Sequence, residues 1–177
     1  MKILVLFSML AATSAHALIF DLGTYGVSAG VRRNLVQSDF GDEEAGLSLD
    51  IGFIKKYYLH DDLLFRTGFK FSQRYFEIAD KDFDYVYVDL PLLLEYSIDK
   101  KWSTFFGFLI ALNLNDSTEA SPEPDANTTL TQLVGGAKYS INHRLDIEGY
   151  VELGMSEVAD SIDDMNTFGV NLVYWFL

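Results

Sequence analysis

Arg66, Lys70 and Arg74 stand four residues apart on a stretch that otherwise alternates between apolar and small residues. In an extended chain, even spacing puts all three on one face. Acids take the same parity on other alternating stretches: Asp50 before them, Asp89 and Glu95 after them, Glu148 and Glu152 further along. Charges that share a narrow protein interior must be paired, or several kcal/mol are lost per ion. Asp50, Arg66, Lys70, Arg74, Asp89, Glu95, Glu148 and Glu152 are therefore the predicted charge network of an interior, filling it as paired ions. The functional alternative is a narrow path for ions or protons along the same charges.

A second set of charges lies between the alternating stretches. One connection carries Asp39, Asp42, Glu43 and Glu44, the next Glu77, Asp80, Asp82 and Asp84. A third carries Asp116, Glu119, Glu123 and Asp125, and a fourth Glu157, Asp160, Asp163 and Asp164. Carboxylate oxygens suit Ca²⁺ or Mg²⁺, but no segment has the EF-hand spacing, so no ligands are named. A solvated, repulsive surface and a contact face for a cationic partner are the other readings. Nucleophilic catalysis has no assembled candidate. His16 falls in the N-terminal segment, and His60 and His143 fall in short turns with no Ser and acid beside them. The pairs Asp61-Asp62 and Asp163-Asp164 suit turns better than catalytic dyads. An enzyme is not expected, and no cofactor is implied.

The elements that would position these charges are strands. Period-two patterning predicts eight, over residues 20–32, 46–57, 64–75, 85–96, 102–114, 129–141, 145–156 and 167–177. One face of each is apolar, as in Leu47, Leu49, Ile51 and Phe53, or Phe65, Phe69 and Phe71. The other face carries the charges and most of the glycines: Gly26, Gly30, Gly52, Gly68, Gly107, Gly136, Gly154 and Gly169. Only Gly23, Gly135 and Gly149 share the apolar parity. About five large apolar side chains per strand is far more than an eight-stranded interior can hold. Small residues belong where space is short. The polar face is thus assigned to the lumen and the apolar face to lipid, in an all-β, antiparallel, up-and-down transmembrane barrel. Slipping the third strand by one residue would put Arg66, Lys70 and Arg74 into lipid, at about 2–4 kcal/mol each and an upper bound near ~10 kcal/mol.

The connections alternate in length. Longer ones span 33–45, 76–84, 115–128 and 157–166, and shorter ones span 58–63, 97–101 and 142–144. Long extracellular loops and short periplasmic turns follow that rule, with both termini periplasmic. Tyr57, Tyr58, Tyr75, Tyr96, Trp102, Tyr139, Tyr174 and Trp175 lie near strand ends, where an interfacial girdle is expected.

Composition agrees. The chain has 177 residues, no Cys, 15% aromatic residues and a net charge of −13, which argues against nucleic acid as a partner. Met1-Lys2, an apolar run from Ile3 to Ala12, and Ala15-His16-Ala17 form the pattern of a cleaved secretory signal peptide over residues 1–17. Residues 18–177 would then be one barrel domain in the outer membrane, expected as a monomer.

The run Val88-Asp89-Leu90-Pro91-Leu92-Leu93-Leu94-Glu95-Tyr96 resembles the fourth strand of the small outer-membrane β-barrels, the OmpX-like and OmpA-type group. Thr167, Gly169, Leu172 and Tyr174, with Phe176, resemble the C-terminal signal that the barrel-assembly machinery reads, although Leu177 follows Phe176 where the family ends on an aromatic. The resemblance implies outer-membrane insertion and a structural or surface-interaction role such as adhesion or envelope integrity. A soluble, exported, lipocalin-like barrel holding an apolar ligand is the alternative from another class.

Overall fold

The computed structural model describes residues 23–38, 43–78, 81–114, 128–158 and 162–176. The predicted signal segment 1–17, Asp21, Leu177 and the acids Asp39, Asp42, Asp80, Asp116, Glu119, Glu123, Asp125 and Asp160 lie outside the described residues.

Eight long strands run in sequence: β1 (Thr24–Ser38), β2 (Gly46–His60), β3 (Leu63–Ile78), β4 (Lys81–Ser97), β5 (Trp102–Asn113), β6 (Thr129–Ser140), β7 (Leu145–Gly154) and β8 (Ile162–Phe176). Each pairs antiparallel with its neighbours in sequence, and β1 pairs with β8 from Tyr25↔Phe176 to Ser38↔Ile162, which closes the barrel and removes its edges. A two-residue strand, Glu43–Glu44, precedes β2 and continues its pairing with β3 through Glu77 and Ile78. Among the described residues no helix is long and apolar enough to cross a membrane. The chain crosses with strands.

The faces are as the alternation assigns them. Leu47, Ile51 and Phe106 are more than 60% exposed on the outside, while Arg32, Arg74, Asp89 and Glu95 are at most 1% exposed inside. Such an exterior is compatible with hydrocarbon and not with water. The glycines follow the same division. A Cβ on Gly169 would lie 2.2 Å from the Tyr150 ring, whereas one on the outward Gly149 would meet nothing within 4 Å. Strands also approach closely at Gly68, whose Cβ would lie 2.1 Å from the Phe53 carbonyl oxygen. Beside Gly68 the β3–β4 ladder is interrupted between Thr67↔Leu92 and Lys70↔Asp89, where Pro91 brings no N–H to the sheet.

The strands are longer at the extracellular end than the sequence pattern suggests. The predicted connection 76–84 is mostly ladder, with Phe76↔Phe83, Glu77↔Asp82 and Ile78↔Lys81 paired. The predicted connections 33–45 and 157–166 likewise lose residues to β1 and β8. The cause is packing. Phe76 and Phe83 stack at 5.4 Å inside the barrel, so the hairpin stays zipped past the point where its outward residues turn polar.

At the other end the turns are short and capped. The Asp99 carboxylate accepts the backbone N–H groups of Lys101 (2.7 Å) and Trp102 (2.8 Å), which holds its pKa below the ordinary Asp value. The Asn142 side-chain oxygen accepts those of Arg144 and Leu145 in the same way.

Candidate functional site

Alternation puts one residue in two from every strand into the lumen, and the register of each ladder sets its height. All eight charges singled out from the sequence meet there, and each is buried. They form two groups. In the first, Arg32 Nη2 lies 3.3 Å from Asp50 and 3.5 Å from Asp89, while its Nη1 reaches over β8 to Glu152 at 3.3 Å. Lys70 Nζ pairs with Asp50 at 2.9 Å and Arg74 with Asp89 at 2.9 Å. Three cations thus face three acids. Tyr150 donates its hydroxyl to Asp50 (3.1 Å), and Arg74 donates to Gln132 (2.7 Å).

The second group lies nearer the short turns. Arg66 bridges Glu95 (3.1 Å) and Glu148 (2.8 Å). Lys138 donates to Glu95 and lies 3.6 Å from Asp146, which accepts the indole N–H of Trp175 at 2.7 Å. Lys56 sits 3.9 Å above the Trp175 ring and supplies a third cation against three acids. Charge balance in both groups is what burial demands.

Arg32, Lys138 and Asp146 share the inward parity of their strands but are not among the eight charges expected from the sequence. Their signal was parity alone. Arg32 lies at the end of the predicted first strand, and only the extension of β1 to Ser38 makes it an interior residue with three acidic neighbours. Trp175 is a correction: expected in the interfacial girdle, it is buried in the lumen at 2% exposure, because it follows the outward Tyr174 by one residue.

The lumen is also less polar than predicted. Val36, Phe76, Phe83, Tyr85, Tyr87, Leu109, Leu130 and Met165 fill its extracellular end as one apolar cluster. Arg74 lies 4.8 Å from the Tyr87 ring, where this cluster meets the charges. At the opposite end Ile54, Val173 and Trp175 pack together. Between them remains a void of about 40 Å³, lined in part by Ser28, Arg66, Lys70, Tyr150 and Asn171, with room for a few waters. The apolar cluster continues past the charges through Leu93, Val134 and Phe105, with Arg66 5.2 Å from the Phe105 ring, so charged and apolar side chains plug the interior together.

The C-terminal residues divide by parity. Thr167 is buried and donates its hydroxyl to Asn34 Oδ1 (3.1 Å), and Gly169 lies against Tyr150. Leu172, Tyr174 and Phe176 point outward. His60 and His143 are exposed at the short-turn end, away from the charge network. Among the described residues, no group of three or more His, Asp or Glu side chains is placed to hold a metal ion.

Closed strands, an apolar wall and a paired interior define a small transmembrane β-barrel. Residues 22–160 match the outer membrane protein beta-barrel domain family, and the chain belongs to it. Similar solved structures include Neisserial surface protein A (TM-score 0.60, 14% identity, 86% of this chain and 97% of that one). Ail, the attachment invasion locus protein of Yersinia pestis, is similar over 87% of this chain and 99% of its own (TM-score 0.56, 16% identity), and has also been solved with the heparin analogue sucrose octasulfate. The outer membrane enzyme PagL has the same fold (TM-score 0.50, 12% identity, 84% of this chain and 98% of that one). At these identities the likeness is one of fold. No curated protein matches in sequence. Family and outward apolar face together overturn the soluble, lipocalin-like alternative.

Proposed function

We propose that this protein is a non-conducting, non-catalytic outer-membrane barrel that acts through its extracellular surface, in adhesion or envelope integrity. The observation that carries the reading is the plugged lumen. With the interior filled by paired ions and aromatic rings, no face remains for transport, and the barrel serves as a mount for its loops. Export by a signal peptide cleaved after residue 17, insertion by the barrel-assembly machinery through Thr167, Gly169, Leu172, Tyr174 and Phe176, and a monomeric state belong to the same reading. Ail is seen with a sulfated polyanion, but the loops here carry Asp116, Glu119, Glu123, Asp125, Glu157 and Asp160, so the complementary partner is a cationic surface or a divalent cation.

The test is binding to whole cells that display the protein, using polylysine as the cationic probe. Wild-type cells should retain the probe at low salt and lose it at high salt, and deleting residues 116–125 should weaken binding markedly. Equal binding by wild-type, loop-deleted and protein-free cells would reject a surface-contact role. Planar-bilayer recordings should show no stable porin-size conductance. The narrow-channel reading requires a small conductance that depends on Arg32 or Arg66.

A further inference from the structure

Every cation of the two buried groups faces a carboxylate or, for Lys56, an indole ring, but Lys55 and Arg144 differ. Lys55 points outward near the periplasmic end of β2, opposite Tyr25 in the β1–β2 register. Its ammonium donates to the Tyr25 hydroxyl at 2.8 Å and lies 4.5 Å and 4.6 Å from the Tyr25 and Tyr57 ring centroids. Arg144, in the turn before β7, donates to the Tyr174 hydroxyl at 3.4 Å. Tyr25 pairs with Phe176 across the closing seam, and Phe176 packs edge-on against Tyr174 at 5.6 Å. A continuous band therefore runs outside the barrel: Arg144, Tyr174, Phe176, Tyr25, Lys55, Tyr57. Among the described residues no carboxylate lies in ion-pair range of Lys55 or Arg144.

The chemistry of this band is specific. Each tyrosine oxygen accepts from a cation, so its own O–H is left to donate outward. A cation and a phenol proton then converge on one acceptor, at the depth where lipid headgroups meet the wall and aromatic residues anchor. We propose that the seam formed by β8, β1 and β2 docks the phosphates of anionic phospholipids in the periplasmic leaflet, with Lys55 and Arg144 as the charges and Tyr25 and Tyr174 as the hydroxyl donors. Charge complementarity selects this occupant: these two cations have no ion-pair partner among the described residues.

The test is native mass spectrometry of the full barrel released from detergent, titrated with phosphatidylglycerol or with phosphatidylcholine. Lys55→Gln combined with Arg144→Gln should weaken phosphatidylglycerol binding by about 10- to 30-fold and leave phosphatidylcholine binding unchanged. Lys100→Gln, in a turn away from the seam, removes a charge without touching the band and should have no effect. Unboiled gel migration confirms that each variant is folded. Unchanged phosphatidylglycerol binding in the folded double variant, or an equal loss in Lys100→Gln, would overturn the proposal.

Discussion

Replacing Arg32 by Met isolates one acid in the lumen. Arg32 touches Asp50, Asp89 and Glu152, but the three would not suffer equally. Asp50 keeps Lys70 at 2.9 Å and Asp89 keeps Arg74 at 2.9 Å. Glu152 is 1% exposed and has no other ion pair among the described residues. An uncompensated buried charge costs about 3–5 kcal/mol. Against a typical folding stability of about 5–15 kcal/mol, that is a large fraction. Lys70→Met removes a buried cation as well, yet Asp50 retains Arg32, so the loss should be smaller, about 1–3 kcal/mol. Arg32→Met with Glu152→Gln removes the stranded charge and should recover most of the loss, since a neutral pair in place of an ionic one is close to neutral. The assay is urea unfolding of the refolded barrel in bilayers, followed by tryptophan fluorescence, with Trp175 as a reporter inside the lumen. A loss below about 1 kcal/mol for Arg32→Met, or a double variant no better than the single, would refute the reasoning.

Three further outcomes follow from the same geometry. Gly169→Ala should cost about 1–3 kcal/mol, because its Cβ meets the Tyr150 ring, whereas Gly149→Ala on the open outer face should be close to neutral; the same unfolding assay compares them. Phe71→Arg, on the lipid face, should lose about 2–4 kcal/mol or fail to insert, read by unboiled gel migration. Asp99 is held below its ordinary pKa by two backbone N–H groups, so its contribution to turn stability is complete above the unfolded value of about 3.9 and fades as pH falls through the lower folded value. Asp99→Asn should therefore flatten the loss of stability below about pH 4 while leaving the neutral-pH fold intact.

Much of the barrel was legible in the sequence because a membrane strand states its two environments in alternate letters. Leu47, Leu49, Ile51 and Phe53 point to lipid, and Ser48, Asp50 and Gly52 point inward, as the pattern required. The eight lumen charges were legible for the same reason. What escaped was the lumen beyond the charges. Leu93, Phe105, Leu109 and Val134 sit on the inward parity with apolar neighbours on the outward one, so nothing local distinguishes an inward Leu93 from an outward Leu92 or Leu94. The hairpin of β3 and β4 was cut short because Glu77, Asp82 and Asp84 resemble a loop. Their ladder is held by an inner stack, Phe76 on Phe83 and Tyr85, that becomes visible only once the strands are paired.

The central claim is a closed membrane barrel whose two faces alternate between lipid and a sealed interior, and β8 tests it most directly. The chain has no native Cys, so single cysteines at positions 168 to 173 can carry spin labels without background. In bilayers, labels replacing Phe168, Val170 and Leu172 should be accessible to oxygen dissolved in the hydrocarbon, and labels replacing Asn171 and Val173 should be shielded from both oxygen and a water-soluble nickel chelate. Equal oxygen accessibility at all positions, or chelate access at Asn171 and Val173, would contradict the account.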